Sequence, residues 1–229
     1  MNPMILQSTE PVTLVGGGVF SAQDLALARK IAPAVVAVDG GANRVVARGV
    51  DIAAVIGDMD SVSQATLSQL PLERVHEIGD QLTTDFDKAL RSLQTPLVIG
   101  VGFSGGRVDH QLAAFHTLVA RPEPPCILLY PDEIAFHCPP KIAFEADEGD
   151  VVSLFPMADV TGRSTGLDWP IDGLEFHPAR FVGTSNRASG PVTLEMDHAG
   201  MLVVLKRRAI QQVAHALAAL EPQERWRVP

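Results

Sequence analysis

An α/β chain with a parallel sheet in its first part and an all-β second part is predicted by three features of the sequence. Short apolar runs alternate with amphipathic stretches up to about residue 131. The helical period then disappears, and turn-rich strand patterns fill the rest. The first apolar run is VTLVG at 12–16, and SAQDLALARKIA at 21–32 reads as a helix whose Ser21 and Asp24 have capping spacing. Strands follow at AVVAVD (34–39), AAVIGD (53–58) and RVHEI (74–78). TTDFDKALRSL (83–93) is a second helix, opened by Thr84 with Asp87. PLVIGVG (96–102), a helix over 108–120 and CILLYP (126–131) complete this region.

Past residue 131, the runs IAFHC, KIAFEA, DVVSLFP, GLEFH, PVTLEMD and MLVVL are separated by Pro, Gly, Asp and Asn, as in a β-sandwich. KRRAIQQVAHALAAL at 206–220 predicts a terminal amphipathic helix. The expected organisation is a Rossmann-like domain over 1–132 and a sandwich with a C-terminal helix over 133–229.

Composition narrows the function classes. With 46% hydrophobic and 20% charged residues the chain has a globular composition, and its net charge of -9 disfavours a general nucleic-acid surface. No basic-then-apolar leader opens the chain, and no apolar run reaches the ~18 residues of a membrane span. Cys126 and Cys138 form no CxxC pair and no zinc pattern, so they read as ordinary thiols. A cytoplasmic protein without membrane partners is expected.

Ligands of open parallel sheets sit beyond the carboxyl ends of the strands, so the loops after the strands carry the functional information. Four of them bear aspartates: DGGAN (39–43), GDMDS (57–61), DQLTTDFDKAL (80–90) and GGRVDH (105–110). One Asp after a strand is commonly a turn former or helix cap. Asp58 and Asp60 resist that reading, because alternate residues of an extended segment point to one side and two converging carboxylates repel unless a cation lies between them. A magnesium ion with phosphate ligands suits such a rim. Gly16 to Gly18, Gly40 with Gly41, and Gly105 with Gly106 stand at strand ends, where backbone amides can approach phosphate. There is no Walker lysine motif.

A competing reading comes from GVGFSG, whose Gly100, Gly102 and Gly105 satisfy GxGxxG between a strand and a helix and would suit a nicotinamide-dependent oxidoreductase. That motif follows the fifth strand rather than opening the first βαβ unit, and it leaves the aspartates without a use. A non-catalytic nucleotide-binding regulator is the third possibility. Of the histidines, His110 adjoins Asp109 at a helix start and could contact phosphate, whereas His116 reads as structural.

The four acidic motifs, in this order, together with STGLDWPI (164–171) and TSN (184–186), resemble the thiamine pyrophosphokinase family over about residues 12–205. The resemblance implies a homodimeric enzyme that transfers diphosphate from ATP to the thiamine hydroxyl, with Mg2+ as cofactor. The thiamine site would lie in a cleft completed by the partner's β domain. It implies Asp58, Asp60, Asp85 and Asp109 as the metal and catalytic carboxylates. The ATP side would comprise Gly17, Asp39, Gly40, Gly41, Asn43, Gln81, Thr84, Lys88, Arg107 and His110. The thiamine side would comprise Trp169, Ser185 and Asn186, with Asp85 shared. Without the resemblance, Trp169 reads as a buried core residue of the β domain.

Overall fold

The protein is described here by a computed structural model covering residues 3–227. The chain divides into two compact units: one runs up to Thr117 and includes Leu128–Tyr130, and the other takes Leu118–Ile127 and the chain from Pro131 onward.

The first unit opens with a two-residue strand β1 (Leu6–Gln7), then β2 (Val12–Val15), α1 (Ala22–Ile31), β3 (Ala34–Val38), α2 (Gly41–Val46) and β4 (Ala54–Gly57). Next come the short α3 (Gln64–Leu67), β5 (Val75–Glu77), α4 (Asp85–Arg91), β6 (Leu93–Gln94), β7 (Val98–Val101), α5 (Val108–Ala120), whose residues from Leu118 are assigned to the second unit, and β8 (Cys126–Leu129), of which Leu128 and Leu129 belong to the first. β1 and β6 form a small parallel ladder of their own. The main sheet has the order β8-β7-β2-β3-β4-β5, and its β7-β2, β2-β3, β3-β4 and β4-β5 pairs are parallel. Strands β2, β4 and β7 are buried at every position and β3 at all but its first, which is why they read as unbroken apolar runs rather than alternating ones.

Local chemistry sets the helix starts. Ser21 closes a reciprocal capping box with Asp24, and Thr84 accepts a hydrogen bond from the Asp87 amide at the start of α4. All the parallel strands therefore end on one rim, with helices starting beside it.

The second unit contains β9 (Glu133–His137), β10 (Lys141–Phe144), β11 (Val151–Pro156), β12 (Gly162–Leu167), β13 (Gly183–Met196), β14 (Met201–Lys206) and α6 (Ile210–Ala218). Its strand order is β10-β13-β11-β14-β9, with β12 also on β13, and the pairs within it are antiparallel. The 14-residue β13 serves two ladders: Gly183–Arg187 faces β11, while Val192–Glu195 lies between β10 and β12. At Gly166 the chain has φ +76, and an added Cβ would sit 1.9 Å from the Pro191 carbonyl oxygen, so glycine is required where β12 bulges against β13.

Two expectations need correction. GLEFH is not a strand; it makes only isolated bridges, Val160 with Phe176 and His177 with Phe181, because its first residue, Gly173, turns the chain at φ +76. Over the terminal segment, the α-helix covers only 210–218, preceded by a 3-10 turn at Arg207–Ala209. α6 buries Ile210, Val213, Ala214 and Leu217, the face anticipated from its spacing.

Candidate active site

The ends of β2, β3, β4 and β7 and the start of α4 surround a cleft of about 740 Å³, lying wholly in the first unit. It exceeds the pocket of about 240 Å³ beside α6. Asp39, directly after β3, and Asp58, directly after β4, both line it.

Carboxylate oxygens of Asp39, Asp58 and Asp60 lie within 4.8 Å of one another. The backbone is bent to bring them there, since Asp39 has φ +43 and Met59, between the other two, has φ +64. Non-glycine residues in this region cost on the order of 1–3 kcal/mol each, so the surrounding bonds must hold them. Asp39 Oδ1 accepts from the Ser61 amide at 3.2 Å, and Asp60 Oδ1 accepts from the Ser61 hydroxyl at 2.9 Å. Asn43 donates to the Ser61 carbonyl at 2.8 Å and accepts from the Ser63 amide at 3.0 Å. Asn43 thus ties α2 to the Asp58–Asp60 loop, and both ends of its amide are committed to that task. An oxygen-only trio with one exposed member matches the donor set of a hard divalent cation that also keeps water or phosphate ligands.

Asp85 stands at the first position of α4, beside this trio. Burial holds its carboxyl above the usual range, the Lys88 ammonium opposes that shift, and the charges of Asp58 and Asp39 add to it. Lys88 is 1% exposed, with Nζ 2.8 Å from Asp85 Oδ1 and 3.9 Å from Asp58 Oδ2. Thr84 spends its hydroxyl on the α4 cap, and Gln81 lines the cleft from the preceding loop.

Asp109 is not among the clustered carboxylates. It pairs with Arg107 through two bonds, Nε to Oδ1 at 3.1 Å and Nη2 to Oδ2 at 2.5 Å, which hold its carboxyl down at about 2. Arg107 and His110 line the cleft, where His116, farther along the helix, is exposed.

Close packing accounts for most of the glycines. A Cβ on Gly41 would lie 2.1 Å from the Val15 carbonyl oxygen, and one on Gly18 would lie 2.5 Å from that of Ser104. Gly40 would meet the Ser61 side chain at 3.1 Å. Gly17 is the least crowded of these, since a Cβ there would meet the Gly40–Gly41 backbone only at 3.8–3.9 Å, and it lines the cleft, where its backbone can approach a ligand. In GVGFSG, Gly100 is packed against Leu128 and Phe103, and Gly102 turns at φ +76 against the Gly16 carbonyl. These glycines seat β7 against its neighbours.

In the second unit, Trp169, Ser185 and Asn186 are brought together. Asn186 is 7% exposed; its Nδ2 donates to the Trp169 carbonyl at 2.7 Å, and its Oδ1 accepts from the amides of Trp169 at 3.2 Å and Arg187 at 2.8 Å. Ser185 has φ +64, and its amide donates to Ser153 Oγ at 3.0 Å. Trp169 itself is 59% exposed, so the core reading of this side chain is wrong: its backbone is anchored and its ring faces solvent.

Two domain descriptions match the sequence. Residues 26–128 fit the thiamin pyrophosphokinase catalytic domain, and residues 137–200 fit the thiamin pyrophosphokinase vitamin B1 binding domain. The chain belongs to the thiamine pyrophosphokinase family. Thiamine pyrophosphokinase 1 of Arabidopsis thaliana is 27% identical over 161 residues, covering 62% of this chain and 60% of that relative. Thiamine pyrophosphokinase 3 of Oryza sativa subsp. japonica is 29% identical over 185 residues, covering 66% of this chain and 69% of the relative. The thiamin pyrophosphokinase structure from Candida albicans has the same fold, with a TM-score of 0.72 at 15% identity over 86% of this chain and 89% of that one. An oxidoreductase built on GVGFSG finds no support among these relatives. The cleft also contains Arg44, Ser61, Phe103 and Ser104, which the motif reading passed over. Ser61 closes the GDMDS motif, whereas nothing in the spacing singles out the others.

Proposed function

We propose that this chain transfers diphosphate from ATP to the hydroxyl of thiamine, giving thiamine diphosphate and AMP. The observation that carries the reading is the trio Asp39, Asp58 and Asp60, supported at the strand ends of a cleft that Asp85 and Lys88 also line. Asp58 and Asp60, with Asp39 and Asp85 beside them, would hold Mg2+, whose contribution is to neutralise phosphate oxygens and favour in-line displacement.

The chain's own groups do the rest. Gly17 offers backbone amides to the phosphates, while Gln81, Thr84, Arg107 and His110 border the same space. The thiamine hydroxyl attacks the β-phosphorus, the bond from that phosphorus to the α–β bridging oxygen breaks, and AMP leaves with the electron pair. The hydroxyl proton passes to the carboxylate of Asp60 or Asp85. Trp169 stacks on the cationic or the neutral ring of thiamine, and the Ser185–Asn186 segment fixes the backbone that carries it.

The two ladders sharing β13 are read as layers of a β-sandwich. The active species is a homodimer in which the partner's β unit completes the thiamine site. A cytoplasmic setting agrees with Cys126 and Cys138, both buried and outside any disulfide, and no helix among the described residues is long and apolar enough to cross a membrane.

The test is AMP release from ATP, magnesium and thiamine, read by a coupled assay. Formation of AMP together with thiamine diphosphate supports the reading; ATP turnover without thiamine diphosphate, or none at all, rejects it.

A further inference from the structure

Three arginine or lysine side chains line the cleft: Arg44, Lys88 and Arg107. Lys88 is committed to Asp85 at 2.8 Å, and Arg107 to Asp109 at 2.5 Å. Arg44, on α2, makes no ion pair with a carboxylate among the described residues. Its guanidinium carbon lies 5.4 Å from the centroid of the buried Phe20 ring, and that of Arg48 lies 4.9 Å from the same centroid. Arg48 donates through Nη1 to the Arg44 carbonyl at 2.8 Å and likewise has no carboxylate partner among the described residues. Two guanidinium groups sharing one aromatic ring repel each other, and the half-buried Arg44 is partly withdrawn from water. An anion beside them removes that cost.

The geometry points to Arg44 as an anchor for a phosphate group of the nucleotide, with Arg48 as the charge behind it. The planar guanidinium fork fits two phosphate oxygens at once, and Phe20 holds the fork's plane in advance of binding. No carboxylate among the described residues lies within ion-pair distance of it, whereas the other cleft cations, Lys88 and Arg107, are paired. Arg44 thus adds, to the metal and the backbone amides, a side-chain cation not already paired with a carboxylate among the described residues. The inference rests on ATP as the substrate, so the experiment separates the two.

Binding of ATP with magnesium, without thiamine, is measured by calorimetry on the intact wild type, Arg44→Lys and Arg44→Met, with a melting curve for each. Absence of ATP binding by the wild type refutes the substrate reading itself. Given wild-type binding, Arg44→Met is expected to weaken ATP about 10-fold to 100-fold at an unchanged melting midpoint, in the range for a lost charge-assisted contact. Arg44→Lys, which keeps the charge without the fork, is expected to lose less. Arg44→Met binding ATP as the wild type does overturns the assignment. So do equal losses in both variants alongside a lowered melting midpoint, which mark an arginine that only covers Phe20.

Discussion

Lys88 Nζ lies 2.8 Å from Asp85 Oδ1, one helical turn apart on α4, and the lysine side chain is almost wholly buried. The pair is asymmetric: Lys88 is enclosed, while the Asp85 side chain is 26% exposed and faces the cleft. The ammonium therefore acts from behind the carboxylates, allowing Asp85 and Asp58 to stand near each other as anions. Lys88→Met is expected to cost about 1–3 kcal/mol of stability, the range for leaving such a group without its partner. It should also weaken Mn2+ binding in a titration without ATP. Unchanged stability and unchanged Mn2+ affinity together would show that Lys88 does not support the acidic cluster.

Asp60 is the exposed member of the trio, and its side chain accepts a hydrogen bond from the neighbouring Ser61 hydroxyl. Asp60→Asn preserves that bond and the shape of the loop while removing the charge. Turnover should fall about 100-fold or more, the scale of losing a group that stabilises developing charge, with the melting midpoint unchanged. Near wild-type AMP release at saturating magnesium would contradict the metal role.

The sequence displayed this rim well and its internal wiring poorly. The longer strands and helices up to residue 131 follow from buried runs and caps, which place DGGAN and GDMDS after strands. The helix α2 escaped notice because GGANRVV joins two glycines to two β-branched valines, all poor helix formers. Tertiary contacts decide there: Val45 and Ala42 are fully buried. The pattern conceals β12 because GRSTGL is polar and half exposed, and it predicts β13 only from Pro191, since a strand with an internal proline is not expected. In the site, Asp39 joining Asp58 and Asp60 depends on a positive φ that no spacing reveals. The Arg107–Asp109 pair, two residues apart, depends on a rotamer choice.

That pair gives a pH prediction. A hydrogen-bonded guanidinium lowers the Asp109 carboxyl to about 2 from the usual 3.8, so any stability it contributes is present above 3.8 and is lost as pH falls through about 2. At pH about 4, Asp109 should be essentially ionised by carboxyl-carbon NMR, whereas in Arg107→Ala it should be substantially protonated. A wild-type carboxyl that is half protonated at 3.8 would mean the pair does not persist in solution.

The thiamine side yields a test that separates a ring from the support beneath it. Trp169 is mostly exposed, so Trp169→Ala removes little buried surface, and its melting midpoint should stay close to that of the wild type. If the indole stacks on thiamine, the KM for thiamine should rise about 3-fold to 30-fold, while that for ATP, whose proposed cleft lies in the other unit, should hardly move. Asn186 behaves differently because it is buried and satisfies both the amide and the carbonyl of Trp169. Asn186→Ala leaves those backbone groups without partners and should cost about 1–3 kcal/mol in urea unfolding while also raising the thiamine KM. The two variants together are decisive: both should impair thiamine use, but only Asn186→Ala should impair stability. A Trp169→Ala enzyme with an unchanged thiamine KM would take the indole out of the substrate site, whatever the Asn186 variant does, because the asparagine acts there through the backbone of Trp169.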